Sequence, residues 1–382
     1  MKRPRPRNSL VRDERGSVLL IVAGGLVAIV GMAALAIDLG ILFTARSEAQ
    51  RAAEAGAHAG ATVFFNADGT AQAARERARD YAERNQVRWG AVELEPEDIE
   101  VDVSQRLVRV SVQRTQERGN PVSNLFARIL GINTSNIGAV AAAQIWPGDA
   151  TTCLLPFAVP DRWMVWDETL SPPDHRAARI GDVYDQERGD YYDENVTGYV
   201  AQDVGESLQL TSADPNDSPQ PGWYYPIALG PRGANEYREA IASCWEPSDE
   251  YELGEEVDKE PGNMVGPTRQ GFRDIFDEEP MGSQEWNGAK ECPVATSAPD
   301  VCLTGDTSRR VRPLVMFDPT RWDEIDQGRS PVPITSIAGV WLESWDGGNV
   351  VTARWMRYMA INPTSEWSDP SNSFLMILRI VE

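Results

Sequence analysis

The sequence predicts an α+β protein: an N-terminal transmembrane helix that continues beyond the bilayer, a small antiparallel sheet, then a β-rich, loop-rich extracytoplasmic domain. Three observations carry that prediction. Val18 to Ile37 runs twenty residues without a charge. Valines alternate with polar residues around Val101 and Val110. Beyond Cys153, prolines and glycines recur every few residues and prevent long helices.

At about 1.5 Å per residue, the uncharged run is roughly 30 Å of helix, the hydrocarbon thickness of a bilayer. The charges are divided unevenly around it. The chain of 382 residues carries a formal net charge of −22, yet residues 1–51 hold eight Lys/Arg against four Asp/Glu. An acidic body repels phosphate backbones, which argues against a nucleic-acid partner and is read as a solvated surface. Residues 1–16 form a basic tail with Lys2, Arg3, Arg5, Arg7, Arg12 and Arg15, whereas the far flank offers only Arg46 and Arg51 nearby. The positive-inside rule therefore places the N-terminus in the cytoplasm and the large C-terminal part outside.

The membrane helix is assigned to residues 17–43. Ala34-Leu35-Ala36 has the form of a signal-peptide cleavage site, but the apolar run ahead of it is long for a signal peptide and apolar character resumes after Asp38. Asp38 lies about 30 Å along the helix from Val18, at the outer interface. It is either an interfacial carboxylate in water or a contact point for a partner subunit.

Residues 44–146 form the next unit. From Thr44 to Ala61 the helix pattern persists, with Ala45, Ala49, Ala52, Gly56 and Ala59 in a narrow stripe of small side chains. Such a stripe permits close helix approach, or reflects only the helix propensity of alanine. Asn66 to Gly69 is a turn, and Thr70 to Gln86 reads as a second, charged helix. Ile99, Val101 and Val103, then Val108, Val110 and Val112, flank Ser104-Gln105-Arg106 as a hairpin. Pro121 to Leu130 starts on proline and stops at Gly131, as a short helix does. Ile137 to Ile145 reads as a further strand, ending before Trp146-Pro147.

These features together resemble the N-terminal module of the Tad (tight adherence) Flp-pilus assembly TadE/TadG-like family. The residues that carry the likeness are Glu14-Arg15-Gly16, one hydrophobic helix, Asp38-Leu39-Gly40 near its end, and an Ala-rich helix closing in Ala57-His58-Ala59-Gly60-Ala61. The resemblance implies that Gly16, Asp38 and Gly40 belong to a helix serving as assembly surface as well as anchor. It also raises cleavage of a pilin-type leader after Gly16, but Ile21 stands where type IV pilins usually carry glutamate, and a retained anchor is preferred. A long helix against the small sheet of residues 91–146 is similar to a pilin-like arrangement.

Residues 147–382 form the acidic domain. Helices are expected at Ala234–Cys244 and Arg269–Phe276, and strands at Val311–Phe317, Ile337–Trp345 and Phe374–Val381. The CLLPFAVPDRW opening, Pro261–Phe272 and Arg310–Pro319 resemble the C-terminal region of some large TadG-like proteins. Four cysteines, Cys153, Cys244, Cys292 and Cys302, lack any CxxC spacing and are disulfide candidates in an extracytoplasmic domain. Cys292 with Cys302 would clip a short loop and leave Cys153 to Cys244; four cysteines allow three pairings, and spacing does not choose.

Catalysis has little to stand on. His58 and His175 are the two histidines, and no G-x-S-x-G elbow accompanies a triad through His175. Asp369 to Ser373 matches a D-x-S-x-S metal-loop string but sits near the last strand among prolines, as a chance match would. Asp182, Asp185, Glu187, Asp190, Asp193 and Glu194 cluster without EF-hand spacing and read as a solvated loop. Arg188-Gly189-Asp190 carries no weight as a tripeptide. Trp163, Trp166, Trp223, Tyr224 and Tyr225 suit core packing better than a sugar platform.

The sequence thus points to a non-enzymatic, single-pass cell-membrane component of Flp/Tad-type pilus assembly or a related surface structure, without cofactor or metal. Its expected partners are the membrane and other Tad pilus-assembly or envelope proteins, with a helix-mediated oligomer also admitted. The alternative is a tethered extracytoplasmic hydrolase or carbohydrate-binding protein.

Overall fold

Alanine and glycine at every third or fourth position decide how the first helix packs. The computed structural model describes residues 15–65, 69–193, 198–199, 201–213, 218–244, 249–326, 331–365 and 373–381. Helix α1 spans Arg15–Ala61 without a break. No residue from Leu19 to Ile37 is buried, whereas Ala45, Ala49, Ala52, Ala53, Ala57 and Ala61 are fully enclosed. Helix α2, Ala71–Glu83, is capped by the Thr70 side chain, which accepts the Ala73 N–H at 3.2 Å. Its inner face is Ala74, Ala78 and Ala82. A Cβ on Gly56 would lie 2.9 Å from both the Ala78 carbonyl oxygen and the Ala82 Cβ, so only glycine permits this approach. The small-residue stripe of α1 is therefore spent largely inside the chain, on α2 and the sheet beneath it.

That sheet contains β1 (Ile99–Asp102), β2 (Leu107–Arg114) and β3 (Ile137–Thr151). The β1–β2 hairpin pairs Ile99 with Val110 and Asp102 with Leu107, around the expected turn. Val108, Val110 and Val112 turn one face towards the alanines of α1 and α2. Strand β3 continues through Trp146-Pro147 rather than stopping there. Proline is tolerated because the strand changes partner at that point: Pro147 accepts the Thr364 N–H at 2.9 Å, and Trp146 donates its indole N–H to the Thr364 carbonyl at 3.1 Å. The expected unit boundary at residue 146 thus falls inside one strand.

Further along the chain, β4 (Phe157–Pro160) opens the second body. It is followed by a hairpin of β5 (Met164–Asp167) and β6 (Asp174–Ala177), then β7 (Ser207–Ser212) and β8 (Trp223–Ala228). Helices α3 (Ala234–Ala242) and α4 (Val265–Glu278) precede β9 (Val311–Phe317), β10 (Ser336–Trp345) and β11 (Val351–Met356). Strands β7, β11, β10, β9, β4 and β8 are hydrogen-bonded in that order, and β8 returns to β7 in parallel through Thr211–Trp223 and Ser212–Tyr224. The ring is closed. Leu208, Val351, Val340, Leu314, Phe157 and Tyr224, one from each strand, share a single core with Tyr237 of α3 and Phe272 of α4. The barrel is filled by side chains.

Strand β12, Leu375–Val381, does not join the barrel. It pairs antiparallel with β3, from Met376–Pro147 to Val381–Ala142, and completes the sheet beneath α1. The two bodies are therefore linked by two strands.

Both disulfides are formed: Cys153–Cys244, with Cα atoms 4.7 Å apart, and Cys292–Cys302, at 5.6 Å. Beside the first lies the buried Arg312. Its guanidinium donates to the carbonyls of Cys153 and Leu154 at 2.8 Å and of Ala240 at 3.0 Å, and reaches Ser243 at 3.2 Å. Burial pushes this guanidinium down to about 10. Arg310 is enclosed in the same way, between the rings of Phe276 and Trp341.

Candidate functional site at the end of the bare helix

The first buried residue along α1 is a charged one. Asp38 is 4% exposed, one residue past the end of the uncharged apolar run. Its Oδ1 accepts the N–H of Leu125 at 2.8 Å and of Phe126 at 3.1 Å, and its Oδ2 accepts Phe126 at 3.0 Å and Ala127 at 2.5 Å. Three consecutive backbone amides thus converge on one carboxylate, a concave anion seat built from main chain. The carboxylate is engaged within its own chain.

The amides belong to the tip of a loop between two short paired strands, Val122–Ser123 and Thr134–Ser135. Only Ala127–Leu130 is helical, as one 3-10 turn, so the helix expected from Pro121 begins late. Asn124 explains the difference. Its backbone N–H donates to Asn133 at 3.0 Å, and its side chain donates to Ile132 at 3.1 Å and accepts from Ser135 at 3.0 Å, which holds the preceding residues extended. The stop is where the sequence placed it: Gly131, at φ 86°, turns its N–H back to the Ala127 and Arg128 carbonyls.

Gly16 lies in the first turn of α1, and Gly40 lies two residues beyond Asp38 with open space where a Cβ would stand. Neither takes part in the hydrogen bonds that seat Asp38.

A second exposed feature rises from the same module. Gln86–Val87 and Gly90–Ala91 pair around Arg88 and Trp89, both at positive φ (49° and 61°), the pattern of a type I′ turn built without glycine. Glu48 of α1 accepts the Arg88 N–H at 2.7 Å and holds the strained backbone. The turn presents Trp89 83% exposed, with the Arg88 guanidinium 4.5 Å from its ring. An exposed tryptophan on a fixed turn is a typical anchor for a protein partner.

The other candidates from sequence are tied up locally. His175 packs edge-on between Trp166 and Tyr191, with Nε2 3.0 Å from the Gly189 carbonyl oxygen. In the acidic loop, Asp182 pairs with Arg176 at 2.7 Å, Asp190 pairs with Arg188 at 2.5 Å, and Asp185 accepts the N–H of Glu187 at 2.9 Å. Glu194 and residues 369–372 lie outside the described residues. Among the described residues, no group of three or more His, Cys, Asp or Glu side chains is placed to hold a metal ion. Trp163, Tyr224 and Tyr225 are buried, and Tyr225 packs on Trp322 at 4.5 Å. Asp161 is wholly enclosed, accepting from Thr335 at 2.7 Å, Arg162 at 2.7 Å and Gly198 at 2.6 Å; burial raises its pKa despite those bonds. A cavity of about 240 Å³ between Thr152, Gly305, Arg357 and Tyr358 has its guanidinium already paired with Glu291 at 2.7 Å.

Asp38 stands out in the sequence as a lone charge, but its seat does not, and nothing there singles out the exposed Trp89. The signal for the loop tip was present as Leu125, Phe126, Ile129, Leu130 and Ile132, five large apolar residues between polar flanks.

Residues 16–63 match the model of the putative Flp pilus-assembly TadE/G-like family, which covers most of α1 and the turn that follows it. The match ends before the sheet, so it does not extend to the likeness read in residues 91–146 or in the C-terminal domain. No curated protein and no solved structure matches the chain. The matched module carries a pilus-assembly signature, and α1 is long and apolar enough to cross a membrane.

Proposed function

We propose that the chain is a single-pass envelope protein that acts in Flp-type pilus assembly, or in a related surface structure, through protein contacts rather than catalysis. The observation that carries this reading is the family match at residues 16–63, which coincides with α1, a helix that stands bare along its first half. In this reading the basic tail is cytoplasmic and Leu19–Ile37 crosses the membrane. The helix-plus-sheet module and the barrel then lie outside, where the two disulfides persist. Partners are other assembly or envelope proteins, and Trp89 and the bare helix, with Gly16 and Gly40 on it, are the surfaces offered to them.

Deleting the chain's gene and restoring it with wild-type or Trp89→Ala protein tests the reading. Loss of surface pili in the deletion strain, rescued by wild type and poorly by the variant, is expected. Intact piliation in the deletion strain overturns it. A fusion of alkaline phosphatase after residue 382 tests the topology and is expected to be active.

A further inference from the structure

The tip that seats Asp38 carries side chains that water does not favour. Ile129 is 80% and Leu130 82% exposed, and Leu125 and Ile132 are exposed beside them. These four lie within eight residues, on a tip whose main chain is largely satisfied internally. Asp38 takes the amides of Leu125, Phe126 and Ala127, while Asn133 and Ile132 accept from Asn124, and Gly131 and Ile132 donate back to Ala127 or Arg128. A segment with satisfied backbone and outward apolar side chains suits an apolar medium. Arg128, in the same turn, is exposed, so its guanidinium can meet phosphate groups while its neighbours go deeper.

The position of the tip says which medium that is. Its anchor, Asp38, adjoins Ile37, the last residue of the uncharged apolar run, and is the first buried residue on α1, although Leu39 and Phe43 beyond it are still exposed. The tip is thus held against the helix at the level where a bilayer spanned by Leu19–Ile37 would end. We propose that residues 125–132 rest in the phospholipid headgroup layer as a second membrane contact, fixing the module's tilt on the bilayer surface. The partner is the lipid surface itself, with Arg128 on phosphate and Ile129 and Leu130 below it. This rests on the reading of α1 as a membrane anchor.

The four native cysteines are paired, so one added cysteine can be labelled with an environment-sensitive fluorophore. Full-length protein in phospholipid nanodiscs would carry the label at Leu130→Cys, at Val27→Cys for the anchor, or at the exposed Asp300→Cys, in the strand that ends at Cys302 outside the barrel. The label at Leu130→Cys is expected to be quenched at least twofold more by lipids bearing a shallow nitroxide than by deep ones, and to be shielded from iodide. Val27→Cys should show the reverse depth preference, and Asp300→Cys no lipid quenching. A Leu130→Cys label open to iodide and unquenched by lipid, with Val27→Cys still quenched, refutes the tip contact and leaves the anchor standing. Absence of quenching at both positions refutes the anchor, and the tip proposal with it.

Discussion

The Phe126 backbone N–H points between both oxygens of the Asp38 carboxylate, at 3.1 and 3.0 Å, and so joins the loop tip to the first helix. Flanked by the amides of Leu125 and Ala127, this contact makes a residue on the helix the organiser of a segment 87 to 89 positions later.

Removing that carboxylate should loosen the tip without unfolding the module. Asp38→Ala leaves three amides without their acceptor. Amide hydrogen exchange at 125–127 in a membrane mimetic should accelerate accordingly, and Asp38→Asn, which keeps one acceptor oxygen, should fall between. Unchanged protection in Asp38→Ala would mean that the seat does not depend on the carboxylate.

Packing of the two N-terminal helices gives a contrast between two glycines. Gly56→Val places atoms where Ala78 and Ala82 already stand, and overpacking of this kind costs about 1–3 kcal/mol. Gly40→Ala meets nothing within 4 Å and should not lower the melting temperature. Thermal melts followed by circular dichroism separate the cases, and equal melting temperatures would contradict the close approach.

Arg312 should be among the costliest single losses in the barrel. Arg312→Met removes the donor for the carbonyls of Cys153, Leu154 and Ala240, and leaves the last two unpaired in a buried setting. A loss of about 3 kcal/mol or more is expected in the denaturant midpoint of the oxidised protein. A variant within 0.5 kcal/mol of wild type, on the order of a surface substitution, would contradict the structural role.

Two aspartates of the β4–β6 region should give opposite pH dependence. Burial raises the Asp161 pKa above its ordinary 3.8, so the stability associated with its protonated form is present below 3.8 and is lost as pH rises through the folded value. Asp167 is held down to about 2 by the Thr169 hydroxyl and then by Arg176. Its contribution is present above 3.8 and is lost as pH falls towards 2. Relative to wild type, Asp161→Asn should therefore gain stability with rising pH, whereas Asp167→Asn should lose its disadvantage only in acid. Urea midpoints between pH 2 and 7 check both signs.

Much of this architecture was legible because its signals are local. The alternating valines around Ser104-Gln105-Arg106 gave the hairpin, and the apolar run at Val311–Phe317 gave a strand with the bounds observed. Thr70 gave a helix start that the structure confirms with a cap. What was not legible depends on partners distant in sequence. Nothing near Ser207–Ser212 announces that its end will meet Trp223 and close a barrel, and nothing near Leu375 names β3 as its neighbour. Pro147 reads locally as a stop, and only the carbonyl it offers to Thr364 explains why the strand passes through it. The same holds at the site: Asp38 stands out as a lone charge, but its three donors lie far downstream.

The pairing of β12 with β3 has a mechanical consequence. A pull on the barrel would reach the helix module along two strands side by side. Withdrawal of β12 would load the pairs from Met376–Pro147 to Val381–Ala142 in shear, so they resist together rather than opening one at a time. The junction is built as a brace rather than a tether.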